Sequence, residues 1–299
     1  MSPVIHQIII IFFGIALGYA SRKAGILTEK ATTELSNIVV KIILPFYLFS
    51  AIAGSDASVD ASGVLSAIGL SSLVFVISGA VALLIVPLLK PPKDDRGVYM
   101  FEILCGNVTY IGIPVCAALF GDKGAFYASL LNIPFNLLCF SLGIYLLCGK
   151  MPLKRILNPA FLASVLATII YILKISLPEV LIDACKFVGQ ATSPCAMLVI
   201  GSALASVPFK DIFGEWRAIP YVVIRLFLIG ALVYLVMGLL TSDPVLRGSL
   251  TILSSMPAAT NSTMLCSIYG GNRTLSAKLI FISTALCALT IPLWAKFLT

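Results

Sequence analysis

The sequence predicts an all-α membrane protein of ten transmembrane helices, in two inverted five-helix repeats with helices 4 and 9 broken and crossed. Three observations carry this. Sixty per cent of the 299 residues are hydrophobic and only 11% are charged, with a mean hydropathy of +1.07, where soluble domains are about half apolar and a quarter charged. The apolar runs reach the roughly 20 residues that a helix needs to cross a bilayer. The second half of the chain also repeats the punctuation of the first.

The ten stretches lie near 4–20, 34–53, 64–89, 98–120, 125–148, 156–173, 178–206, 216–240, 245–269 and 274–297. The first lacks a basic leader and is followed by Arg22 and Lys23 rather than by small residues, so it is expected to be a retained span and not a signal peptide. Orientation follows from Lys and Arg, which are in excess in cytoplasmic loops. With the N-terminus outside, the inner loops hold Arg22, Lys23, Lys30, Lys90, Lys93, Arg96, Lys150, Lys154, Arg155, Lys210, Arg217, Arg273 and Lys278. The outer side holds only Lys123, Lys174, Arg247 and Lys296. Both termini are therefore expected outside. This bias, with contact to anionic membrane lipid, accounts for the net charge of +7 without a nucleic-acid partner.

Several chemistries lose their footing here. Eight cysteines are scattered through apolar segments without a CxxC pair, which reads as small buried hydrophobes. His6 is the only histidine, so a histidine-based triad is hard to build. Neither a phosphate-binding loop of the Walker type nor a zinc motif is present. An enzyme or an ATP-driven pump does not fit, and no cofactor or metal is called for beyond a coupling H+ or Na+.

Shifting the chain by 149 residues superposes Pro3 on Pro152, Pro45 on Pro194, Asp94 on Asp243, and Phe120-Gly121 on Tyr269-Gly270. The halves, 1–149 and 150–299, hold five spans each. An odd number of spans per repeat turns the second repeat upside down, as in many secondary transporters.

Spans 4 and 9 are interrupted at matching places. "CGNVTYIGIP", Cys105 to Pro114, and "SSMPAATNST", Ser254 to Thr263, bring glycine, asparagine and proline into apolar surroundings. Proline removes an intrahelical donor, while glycine and asparagine accept non-helical dihedrals. Unwound backbone in lipid costs several kcal/mol per unsatisfied group, so it must line a cavity or be buried in protein. Where two broken spans meet, half-helix N-termini carry roughly +0.5 charge and can hold an anion. Asn107, Thr109, Thr260, Asn261, Ser262 and Thr263 supply donors and acceptors, beside Pro114 and Pro257. The bland reading makes the prolines kinks and the polar residues partners for freed backbone.

These stretches, continued as "GNVTYIGIPVCAALFGDKG" and "SSMPAATNSTMLCSIYGGNRTLSAKL", with "LPFYLFSAIAG" and "SPCAMLVIGSALA", resemble the auxin efflux carrier family, which includes plant auxin carriers and bacterial malate and malonate permeases. The resemblance covers nearly the whole chain. It implies a scaffold of spans 1, 2, 6 and 7, a transport domain of spans 3–5 and 8–10, a homodimer, and elevator-like alternation in a cytoplasmic membrane. Asn107 and Asn261 match the family's crossover asparagines, and Pro114 and Pro257 its crossover prolines. The plant carriers' long central loop shrinks here to Gly149–Arg155.

Ionisable residues inside spans are costly and often functional. Glu102 precedes Asn107 in span 4 and is a candidate proton carrier, or else a structural partner of Arg225 in span 8. Lys41, one turn before Pro45, either attracts an anion or snorkels to the interface. Asp183 and Lys186 read as interfacial. The expected function is carriage of a small organic anion held at the crossover. The alternatives are a sodium-coupled symporter or cation/proton antiporter of similar fold, and a non-transporting sensor. The antiporter usually needs a carboxylate at the crossing, and these breaks contain none.

Overall fold

The computed structural model describes residues 3–55, 59–149, 157–206, 216–259, 262–269 and 271–298, and these are all-helical. Along the chain run α1 (Pro3–Lys23), α2 (Glu29–Ala53), α3 (Ala61–Leu89), α4 (Lys93–Leu104), α5 (Val108–Leu147), α6 (Pro159–Ile172), α7 (Glu179–Ala205), α8 (Ala218–Leu240), α9 (Pro244–Ser254), α10 (Ser262–Tyr269) and α11 (Arg273–Leu298). Six of them, α2, α3, α5, α7, α8 and α11, are long and apolar enough to cross a membrane.

Side chains that accept from exposed backbone N–H groups mark the helix starts, as capping physics requires. Thr28 accepts from Ala31 N–H ahead of α2, Asp60 from Gly63 N–H ahead of α3, and Asn158 from Phe161 N–H ahead of α6. Asp243 accepts from both Val245 and Leu246 N–H ahead of α9. Pro159 and Pro244 follow two of these caps, at the helix position where a missing N–H costs nothing. Large apolar residues such as Leu84, Leu88, Val180, Phe187 and Leu239 remain exposed on the outer surface, a distribution suited to lipid rather than water.

A straight α5 would be about 60 Å long, twice the hydrocarbon thickness. It is not straight. Gly121 has φ 63° and ψ −152°, a conformation that side-chain-bearing residues avoid. The Thr109 hydroxyl donates to Asn132 Oδ1 at 2.8 Å although 23 residues separate them. The two arms of α5 thus run back along each other as a hairpin.

Two sets of contacts organise the bundle. Helix α1 packs along α7, and α2 packs against α6 and α7. The α1–α7 contact is close: a Cβ at Gly18 would lie 2.4 Å from the Leu198 carbonyl oxygen, and one at Gly201 would lie 1.9 Å from that of Ile15. Small residues at such places let helix backbones approach in a membrane. The second set joins α3, α4, α5, α8 and α9. The close approach predicts that Gly201→Val lowers stability by at least about 2 kcal/mol. Gly69→Ala, where an added Cβ meets nothing within 4 Å, should leave thermal unfolding in detergent unchanged or slightly improved.

Candidate functional site

Helix α4 ends at Leu104, and α5 starts at Val108 with a π-turn to Gly112. Between them Cys105 and Asn107 leave the helical conformation. In the second half α9 ends at Ser254 and α10 starts at Ser262. The two gaps lie against each other. Gly106 and Ala258 form an isolated antiparallel bridge. Asn107 N–H donates to the Pro257 carbonyl at 2.7 Å, and Ala259 N–H to the Cys105 carbonyl at 3.3 Å. Ala258 N–H donates to Ser283 Oγ on α11 at 3.1 Å. Each gap therefore satisfies backbone groups that the other leaves open, deep in the protein.

Asn107 is buried, 3% exposed. Its Oδ1 accepts from Tyr110 N–H at 3.1 Å and caps the start of α5. Its Nδ2 has no hydrogen-bond partner among the described residues. Thr109 reaches Asn132 on the other arm of α5, and Asn136 Nδ2 donates to the Asn132 carbonyl at 2.7 Å. Pro257 lies in the second gap and lends its carbonyl to the bridge. Pro114 does not mark the first gap: the chain opens at Cys105–Asn107, and Pro114 is helical, within α5 directly after the π-turn Val108–Gly112. Thr260 and Asn261 lie outside the described residues.

Glu102, on α4, is fully buried. Its Oε1 accepts from Ser262 Oγ, at the start of α10, and from Ser276 Oγ at 2.9 Å, on α11. Thr263 Oγ1 lies 3.2 Å from the same Ser276 hydroxyl. Glu102 Oε2 is without a partner among the described residues. Arg225 is also buried, and its Nη1 donates to the Ser254 carbonyl at 2.7 Å. No Glu102–Arg225 ion pair occurs among the described residues; the serines hold the carboxylate and a helix end holds the guanidinium. Lys41 lies exposed in a π-turn of α2, and Asp183 and Lys186 are exposed on α7. The structure thus brings Glu102, Asn107, Pro257 and Ser262 together about the gaps, with Arg225 against them, and leaves Lys41 on the surface.

The profile of the family described as membrane transport protein matches residues 3–150 and 143–295. The chain belongs to this family. The resemblance to auxin efflux carriers is thereby borne out, and the protein is a membrane transporter. It is 27% identical to an uncharacterized transporter of Methanocaldococcus jannaschii over 305 residues, covering 97% of each chain. It is 24% identical to a Rhizobium meliloti protein named "Putative malonate transporter", over 96% of this chain and 93% of that one. A similar relative is an uncharacterized transporter of Methanothermobacter thermautotrophicus, 24% identical over 95% of both chains. Family and relatives alike carry descriptions as transporters.

Some residues of this transporter's polar interior escape a reading of the breaks alone. Ser276 and Ser283 stand seven apart on α11 and share a face, two turns from each other. Asn132 and Asn136, spaced i, i+4 in an apolar arm, carry the kind of signal that marks polar contacts between membrane helices. The closest steric constraint lies at Gly106, where an added Cβ would sit 1.5 Å from Arg225 Nη2. Gly106→Ala should therefore displace the guanidinium and lower stability by at least about 2 kcal/mol. Gly79→Ala, whose Cβ would meet only Leu104 at 3.7 Å, should be near neutral in the same melt.

Proposed function

We propose that this transporter carries a small organic anion, bound where the two gaps meet at mid-membrane. The observation that carries this reading is the Gly106–Ala258 pairing beside Asn107, a buried amide with a donor left over. Two helix N-termini begin at this place, α5 at Val108 and α10 at Ser262. Their partial positive charge and their N–H groups favour a carboxylate. Asn107 Nδ2 adds a neutral donor, and Thr109 adds a hydroxyl nearby in sequence. Ser262 and Thr263 stand at the start of α10, and Thr260 and Asn261 precede them in the sequence. Malonate is the first ligand to test, because a relative is named for it.

The reading extends to architecture. We take α4 with the first arm of α5 as the fourth span, and α9 with α10 as the ninth, crossing at the bridge; with the second arm of α5 this makes ten spans in two inverted repeats, 1–149 and 150–299. The close mutual packing of α1 with α7 and of α2 with α6 and α7 supports a scaffold against which the remaining helices move as an elevator. The scaffold faces a second copy in a homodimer. The lysine and arginine distribution supports both termini on the outer face of the cell membrane.

Glu102 is the coupling candidate. A buried carboxyl with one oxygen held by Ser262 and the other unpartnered can accept a proton at Oε2 without disturbing the serines. A proton there changes the charge beside α10, the helix that follows Asn261.

Two expectations follow for the purified and reconstituted protein. Thermal unfolding against mono- and dicarboxylates should show stabilisation by malonate or a close relative. At 100 times the dissociation constant that stabilisation amounts to about 2.7 kcal/mol, and Asn107→Ala should abolish it while remaining folded. No shift with any acid would end the anion reading. Glu102→Gln should remove uptake driven by a pH gradient while leaving substrate exchange; unchanged pH dependence would remove Glu102 from the cycle.

A further inference from the structure

In the sequence Arg225 is a structural partner for Glu102 if Glu102 is not a proton carrier, yet the structure gives Arg225 different work. Arg225 lies in the π-turn Ile224–Leu228 of α8 and is 2% exposed. Its Nη1 donates at 2.7 Å to the carbonyl of Ser254, the last residue of α9. The same guanidinium packs on Gly106, just beyond the end of α4, where a Cβ would lie 2.7 Å from Cζ. One fixed positive charge thus sits against the C-terminal ends of both half-helices. Each such end carries roughly −0.5 charge, so one guanidinium balances the two. The ionisable neighbours are Glu102, Tyr221 and Cys105. Glu102 is engaged by Ser262 and Ser276, and no ion pair to Arg225 exists among the described residues. The partner of this cation is backbone.

We propose that Arg225 is a resident cation, filling the place between two helix C-termini where a carrier coupled to a metal ion would bind that ion. The paired gaps of this chain are then held together without sodium. The N-terminal ends of α5 and α10 are served by other groups, Asn107 Oδ1 at the first and the Ser262–Glu102 contact at the second, which leaves Asn107 Nδ2, without a partner among the described residues, as the donor for the anion. The inference deepens the transport reading and rests on it for the identity of the site, but its test needs no substrate. Arg225 acts here as a positioning residue, through the helix ends.

The experiment is thermal unfolding of the purified full-length chain at fixed ionic strength in sodium, choline and millimolar guanidinium chloride. Wild type is compared with Arg225→Ala, Arg225→Gln and Arg225→Lys. Wild type should melt at the same temperature in sodium and choline, within about 2 °C. The two neutral variants should lose several degrees and regain at least half of the loss with guanidinium, whereas Arg225→Lys should keep most of the stability and stay insensitive to sodium. A side chain that merely fills space would give a loss that guanidinium does not restore, which overturns the proposal. So does sodium stabilisation of wild type. If neither neutral variant folds, the lysine variant decides: folded and sodium-insensitive supports a fixed charge, unfolded overturns it. Malonate shifts recorded on the same samples report separately on the transport reading.

Discussion

Two interruptions in apolar helices have to satisfy their own backbone, and in this protein they do so with each other. Asn107 N–H to the Pro257 carbonyl and Ala259 N–H to the Cys105 carbonyl are the closing bonds. Ser283 from α11 takes a further donor, the Ala258 N–H. Several other features are consequences. A bridge between extended strands needs close approach, and Gly106 permits it because any side chain there would collide with Arg225. The half-helices must stop short, which is why α4, α9 and α10 are brief while their neighbours run the width of a bilayer. The hairpin at Gly121 lets the chain return beside the gap, where Asn132 meets Thr109.

The same pairing explains the electrostatics. Breaking two helices at one place creates four polar ends in a medium that tolerates none unbalanced. Two C-terminal ends face the guanidinium of Arg225. At the two N-terminal starts, Asn107 caps α5, and Ser262 at the start of α10 is tied to Glu102. A carboxylate substrate would complete the arrangement by meeting the leftover Asn107 donor. On that proposal, backbone dipoles and the Asn107 amide would supply the charge that binds an anion.

The sequence was informative about solvent, helical class and the two breaks, since these are local properties. Clustered glycine, asparagine and proline in an apolar run favour non-helical backbone, although Asn132, Pro134 and Asn136 stay helical in α5. It was less informative about partners. Pro114 reads as a break residue because proline opposes helix, yet it sits within α5 directly after the π-turn Val108–Gly112, and Asn107 terminates the gap instead. Glu102 and Arg225 read as a pair because opposite charges in lipid attract, but hydroxyls from α10 and α11 and the end of α9 intercept both. Those contacts join residues more than 25 positions apart, and nothing in local periodicity encodes them. Thr260 and Asn261, read from the sequence as half of the site, lie outside the residues the structure describes, so the second strand of the site rests on Pro257, Ser262 and Thr263.

The central claim is that the paired gaps form the anion site, and an experimental structure of the malonate-soaked protein tests it most directly. The account predicts ligand density within about 3 Å of Asn107 Nδ2, with Gly106 and Ala258 still bridged and Arg225 still bonded to the Ser254 carbonyl. Gaps that stand apart, or a ligand bound away from Asn107 with the bridge intact, would contradict it.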